Sequence, residues 1–134
     1  MKCRIILELL AILFFTGCYN REQISRLDEA EALIQNKPDS ALTILQQLKS
    51  EGSQAEQARY ALLYSEALDK NHIKATNDSL IRRAWEYYKH HPKDLRRQCK
   101  TLYYWGKVKL RAGDKPGALR LYLKVEEKLK DTNE

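Results

Sequence analysis

The stretch from Leu95 to Lys130, LRRQCKTLYYWGKVKLRAGDKPGALRLYLKVEEKLK, decides the fold. It consists of two runs of helix-forming residues separated by Ala112-Gly113-Asp114. Glycine permits a left-handed exit from a helix and aspartate caps the next one, so this triplet predicts a sharp stop and restart. In the second run apolar residues recur at steps of four and three, the spacing of one buried helical stripe: Ala118, Tyr122, Val125 and Leu129. The stretch therefore predicts a helical hairpin.

After Cys18, the chain carries helical spacing nearly throughout, interrupted by short polar breakers. These breakers lie at residues 36–39, 50–53, 70–77 and 91–92. Together with the triplet at residues 112–114 they predict six helices, with Asn77, Asp78 and Ser79 as candidate caps of the fourth. Five glycines and three prolines are too few for a fold built on many tight turns. No convincing alternating pattern of a strand occurs, so the sequence predicts an all-α fold.

A short motif repeats at offsets of 39 and 38 residues. Its three copies are Asp39-Ser40-Ala41-Leu42, Asp78-Ser79-Leu80-Ile81 and Pro116-Gly117-Ala118-Leu119. A period in this range, with two helices per period, is typical of stacked helical hairpins. Each hairpin buries only part of its apolar surface alone, and its neighbours bury the rest. The sequence thus predicts about three stacked hairpins.

The third unit also carries a family resemblance. Residues 102–106 (LYYWG), then Gly113-Asp114, Ala118 and Tyr122, are similar to the tetratricopeptide repeat. The resemblance extends over residues 21–130 and is closest over 95–130; it implies a short solenoid of antiparallel hairpins. Gly106 and Ala118 are small where the two helices would cross, with Trp105 and Tyr122 filling the surrounding space. A generic helical bundle is the alternative.

The first residues have the pattern of an export signal. Lys2 and Arg4 precede an apolar run over residues 5–15, which is shorter than the roughly 20 residues that span a bilayer. Phe15-Thr16-Gly17-Cys18 then resembles the bacterial lipobox. This implies a signal peptide over residues 1–17, a mature helical domain over 18–134, and acyl chains such as palmitate on Cys18. An uncleaved hydrophobic helix is the alternative.

The same resemblance bears on location. It implies a lipid-anchored protein of the cell envelope, and Tyr19 in place of an aspartate after the cysteine implies the outer membrane rather than the inner one. Firm anchoring fits the physics of lipidation, because one acyl chain holds a protein only marginally whereas two or three hold it well.

Charge is unevenly distributed along the chain. Residues 18–79 carry a net charge of −3, whereas residues 80–134 carry +8. In tetratricopeptide proteins the first helix of each hairpin lines a groove. The resemblance therefore implies that one helix face points into the groove and takes an acidic peptide or C-terminus: Lys100, Tyr103, Lys107 and Arg111. Solvated helix faces are the plain alternative, and anionic lipid or lipopolysaccharide is another partner; nucleic acid is not expected.

No residue pattern indicates catalysis, a cofactor or a metal. His90 and His91 are adjacent and so diverge on a helix, and Glu86 with His90 offers only two ligands. Cys99 lies on an apolar stripe and is expected to be a small buried hydrophobe.

The sequence therefore predicts a membrane-anchored scaffold or adaptor that binds another protein. A sensor fragment of a longer membrane regulator is the alternative. The last helix has no polar helix after it to cap the stack, so continuation of the domain beyond Glu134, a covering partner, or self-association through this helix is also expected.

Overall fold

The computed structural model describes residues 1–132, except for the side chains of residues 10–20. It contains six helices in this range: α1 (Lys2–Leu33), α2 (Pro38–Gln47), α3 (Gln54–Lys70), α4 (Ser79–Tyr88), α5 (Leu95–Arg111) and α6 (Lys115–Lys130). No strand occurs among the described residues. The predicted all-α class and the helix-forming stretches between the breakers are confirmed.

Local chemistry accounts for most of the helix ends. Pro38 begins α2, where its missing N–H is not needed. Gly113 has a φ of +85°, a backbone conformation that suits glycine, and Asp114 Oδ1 accepts a hydrogen bond from the Gly117 N–H at 2.9 Å. At the start of α4 it is Asn77 whose side chain accepts a backbone N–H, that of Ser79. Asp78 makes no capping hydrogen bond with its side chain.

The helices pack as consecutive neighbours. Each odd-numbered helix contacts the helix that follows it, and α2 and α4 also contact the next odd-numbered helix. The first helices of the three pairs, α1, α3 and α5, contact one another in succession. One core cluster joins α1, α2 and α3, and a second joins α3, α4 and α5. Helix α6 packs on α5, and these two helices form the third pair.

Gly106 marks a close crossing of α5 and α6, as predicted. A Cβ on this glycine would lie 2.4 Å from Cε1 of the Tyr122 ring, so any side chain here would have to displace that ring. Ala118 is also buried. Trp105 also packs against the second core cluster, and its Nε1 donates to Asp78 Oδ2 at 2.9 Å. This tryptophan ties the third hairpin back to the second.

Helix α1 extends well beyond the first hairpin. Its residues 21–33 belong to the helical domain, where Leu27 and Ala30 are fully buried. Near its start, four large apolar side chains are more than half exposed: Ile5, Ile6, Leu7 and Leu9. No helix within the described residues is both long and apolar enough to cross a membrane. The side chain of Cys18, the predicted lipidation site, lies outside the part of the chain that the structure describes.

Candidate functional site

The four residues predicted to line a groove lie along α5, and three of them meet acidic side chains of α3. Lys100 pairs with Glu66, while Lys107 and Arg111 both pair with Asp69. Tyr103 stands between these cations and is 44% exposed. We refer to Lys100, Tyr103, Lys107 and Arg111 as the α5 face. Each of its three cations therefore already has a counter-ion within the protein, and these ion pairs hold the cations in position.

Asp69 is the shared partner at the C-terminal end of the α5 face. Its Oδ2 lies 3.1 Å from Lys107 Nζ, and its Oδ1 accepts a hydrogen bond from Arg111 Nη2. The Asp69 side chain is only 12% exposed, whereas the two cations remain more accessible. One carboxylate between two cations leaves a net positive charge, so this end of the face retains attraction for an anion.

Glu66 is the partner at the other end, and it is completely buried. Lys100 Nζ lies 2.5 Å from Glu66 Oε2, and Gln35 Nε2 donates to Glu66 Oε1 at 2.9 Å. Burial, together with the charge of Glu66 and a hydrogen bond to it, raises the pKa of the adjacent Tyr104 well above its ordinary value. A buried carboxylate is costly unless it is paired, so Glu66 depends on Lys100.

A second ion-pair cluster links the first helices of all three hairpins. Glu31 of α1 accepts hydrogen bonds from Arg59 of α3, at 2.9 and 2.5 Å, and from Arg97 of α5, at 3.3 Å. Burial opposes the charge on Glu31, but the hydrogen bonds and charges of the two arginines outweigh it and lower the pKa of this carboxyl. Arg97 is thus a polar link between the first hairpin and the third.

Aromatic rings lie beside the α5 face. Lys107 Nζ is 5.8 Å from the centroid of the Tyr103 ring, within the range of a cation–π contact. The Tyr103 and Tyr122 rings are 6.0 Å apart and tilted by 41°. Because Tyr103 is both exposed and fixed by its neighbours, it offers apolar area and a hydroxyl to a ligand at little entropic cost.

A pocket of about 200 Å³ opens at the C-terminal end of the α5 face. It lies between α3, the link that follows α3, α4 and α5. Asp69, Lys107 and Arg111 contribute the charged groups, and Leu80 and Val108 contribute to its apolar wall. His72, in the link, has a φ of +58°, and Asn71 Nδ2 anchors the link to the carbonyls of Pro38 and Ala67. The pocket is large enough for one or two side chains of a peptide.

Two of the residues that could act as metal ligands, Glu86 and His91, instead contact neighbouring side chains. Glu86 pairs with Lys89, and the His91 ring stacks on Tyr87 at 3.9 Å between centroids. No group of three or more metal-ligating side chains occurs within the described residues. Cys99 is partly exposed, and burial raises the pKa of its thiol despite the nearby charge of Lys128.

Comparisons of the chain with models of protein families, with curated proteins and with solved structures found no match.

Proposed function

We propose that this protein is a lipid-anchored scaffold of the bacterial cell envelope, whose hairpins form a short tetratricopeptide-like solenoid that binds an acidic partner protein. The observation that carries the proposal is the α5 face, where exposed Tyr103 stands beside Lys107, and Lys107 and Arg111 share the single carboxylate of Asp69. Such a surface suits an acidic peptide segment, because carboxylates pair with Lys107 and Arg111 while an apolar side chain covers the tyrosine.

Several features support the interpretation of the hairpins as a short solenoid. The first helices contact one another in succession, and the second helices of the first two hairpins each lie between their own partner and the next hairpin. A stack of this kind presents its first helices along one surface. Ion pairs of Glu31, Glu66 and Asp69 run between those helices, so the surface is polar and cross-linked. A rigid, preorganised surface loses little entropy on binding.

Membrane anchoring is supported at the start of the chain. Ile5, Ile6 and Leu7 are exposed and pack against no described core cluster. Such a segment fits an export signal, which is read by the membrane machinery and then removed at Cys18. Mass spectrometry of the N-terminus after expression in a bacterial host tests this, with Cys18→Ala as the comparison. A wild-type chain that begins at an acylated Cys18 supports the anchor, and a chain that retains residues 1–17 without lipid overturns it.

Peptide binding tests the partner assignment. The full chain in detergent is titrated with a fluorescent glutamate-rich peptide and with a lysine-rich peptide of equal length. We expect the acidic peptide to bind more tightly, and the double variant Lys107→Gln/Arg111→Gln to weaken that binding at least about tenfold. The matched control is Arg120→Gln/Lys124→Gln, which removes the same charge from exposed residues of α6 that form no ion pair with another described residue. Equal loss in both variants would show unspecific charge attraction and contradict the proposal.

A further inference from the structure

The third hairpin has a large apolar residue that is exposed to solvent, although the residues at the matching positions of the first two hairpins are buried. Leu42, Ile81 and Leu119 occupy the same place in the repeated motif. Leu42 is 7% exposed and Ile81 is 1% exposed, but Leu119 is 58% exposed. The difference lies in the surroundings rather than in the residue type, because all three side chains are large and aliphatic.

In the first two hairpins, the next helix of the stack takes part in the cluster that buries this position. Leu42 belongs to the core cluster to which α3 contributes Leu63 and Ala67. Ile81 belongs to the cluster to which α5 contributes Tyr104 and Val108. In both cases the next helix in the stack supplies two apolar residues spaced four apart, which lie on one helix face. Leu119 therefore stands where a further helix of the same pattern would pack.

Leu119 is one of several exposed apolar residues of the third hairpin. Tyr103 and Leu110 are seven residues apart on α5, and both are exposed. Leu119 and Leu123 are four apart on α6 and more than half exposed, and the Tyr103–Tyr122 ring contact joins the two helices. We refer to these five residues, Tyr103, Leu110, Leu119, Tyr122 and Leu123, as the open edge.

The charge at the open edge is reversed relative to the preceding interface between hairpins. There, α3 presents the acidic residues Glu66 and Asp69 to the basic helix α5. When Leu63 and Ala67 are matched to Tyr104 and Val108, the α5 counterparts of these two acids are Lys107 and Leu110. Helix α5, which would contact a further hairpin, therefore has no acidic residue at these two positions.

Two cations flank the open edge. Arg96 lies seven residues before Tyr103 and so shares its face, and Lys115 lies four before Leu119. Both are exposed, and neither forms an ion pair with another described residue. Glu126 is already paired with Lys130 at 2.7 Å. The local excess of positive charge favours an acidic occupant.

We propose that the open edge binds an acidic amphipathic helix of a partner protein, which presents two apolar residues four apart and completes the stack. A basic helix such as α5, with six basic and no acidic residues, would be repelled by Arg96 and Lys115. The apolar anchors of this inference are Leu119 and Leu123, which lie on α6, although the open edge shares Tyr103 with the α5 face.

The probe is a synthetic alanine-based helix of about 20 residues, long enough to be helical in water. It carries tyrosine and valine four residues apart, with glutamates beside them, and a second version has lysine at every glutamate. Each is titrated into the full chain in detergent, as wild type and as Leu119→Glu/Leu123→Glu. Ile73→Glu is the matched control, since Ile73 is another exposed aliphatic residue but lies in the link after α3.

We expect the acidic helix to bind wild type at least about tenfold more tightly than the basic helix, and Leu119→Glu/Leu123→Glu to lose at least about tenfold. The Ile73→Glu variant keeps wild-type affinity for this helix, and a loss in Lys107→Gln/Arg111→Gln with no loss in Leu119→Glu/Leu123→Glu would assign the binding to the α5 face and overturn the proposal. Unchanged binding in Leu119→Glu/Leu123→Glu overturns the proposal. Light scattering that shows a wild-type dimer converted to a monomer by the same variant also overturns it, because the occupant is then a second copy of this chain.

Discussion

The ammonium of Lys100 lies 2.5 Å from a carboxylate oxygen of Glu66, a residue with no exposed surface. Lys100→Met would keep the aliphatic stem but leave this carboxylate without its counter-charge. We expect a loss of about 2–3 kcal/mol in the free energy of unfolding, less than for a fully buried pair because the lysine side chain is 24% exposed. Urea unfolding measures it.

The control for this prediction is Lys124→Met, since Lys124 is exposed and forms no ion pair with another described residue. A second variant, Glu66→Gln added to Lys100→Met, should recover part of the loss because a neutral amide needs no counter-charge. A stability of Lys100→Met within about 0.5 kcal/mol of wild type would show that the ion pair does not support the packing of α3 on α5.

Acid sensitivity should depend on Glu31. Burial opposes its ionisation, but Arg59 and Arg97 lower the pKa of this carboxyl below its ordinary value of 4.5. The unfolded chain therefore binds the proton more readily, so the stabilisation is present above the ordinary pKa and is lost as pH falls through the lowered one. Wild type should lose stability between about pH 5 and pH 3, and Glu31→Gln should show a shallower dependence over that window. Glu127→Gln, on exposed α6 surface, should retain the wild-type slope; a parallel slope for Glu31→Gln would refute the assignment.

The change Gly106→Ala should lower the stability of the protein when Tyr122 is present and raise it when Tyr122 is replaced by alanine. With the ring present, a Cβ at Gly106 meets it at 2.4 Å, and we expect Gly106→Ala to destabilise the protein by about 1–2 kcal/mol. In a Tyr122→Ala background the space is open, and the same change should stabilise by about 0.5–1 kcal/mol because alanine is the better helix former. Thermal unfolding of the four proteins tests the change of sign, and destabilisation in both backgrounds would count against the close crossing.

Gly113 provides the contrast. No atom lies within 4 Å of a Cβ placed there, but its φ of +85° is unfavourable for alanine. Gly113→Ala should therefore cost about 1 kcal/mol with or without Tyr122, because the strain is in the backbone rather than in packing. A cost that disappears in the Tyr122→Ala background would contradict this explanation.

Helix ends were predictable from the sequence because their causes are local. Pro38, Gly113 and Asp114 act through their own backbone geometry or through an N–H three residues away. Asp78 shows the limit of that reasoning. It was a candidate cap, but its carboxylate instead accepts from the Trp105 indole and lies 3.1 Å from Lys109, two residues brought near by tertiary packing. The Asp78 side chain therefore bonds to a residue of α5 instead of capping α4.

The α5 face was predictable only in part. Helical spacing places Lys100, Lys107 and Arg111 together, because that depends on α5 alone. The counter-ions Glu66 and Asp69 could not be predicted in the same way, because they lie on another helix, among the apolar residues of α3. Their three-residue spacing on one helix was a usable signal, but it becomes specific only once α3 is known to pack beside α5.

The most direct measurement of the central claim is acidic-peptide binding by Asp69→Asn. The amide keeps the size of Asp69 but removes the charge that occupies Lys107 and Arg111, so we expect the glutamate-rich peptide to bind about three- to tenfold more tightly than to wild type. Asp78→Asn is the matched control, since it removes the same charge from a carboxylate that also pairs with an α5 lysine but does not contact the α5 face. Tighter binding in Asp69→Asn alone is the predicted result; unchanged or weaker binding, or an equal gain in Asp78→Asn, would contradict a peptide site on the α5 face.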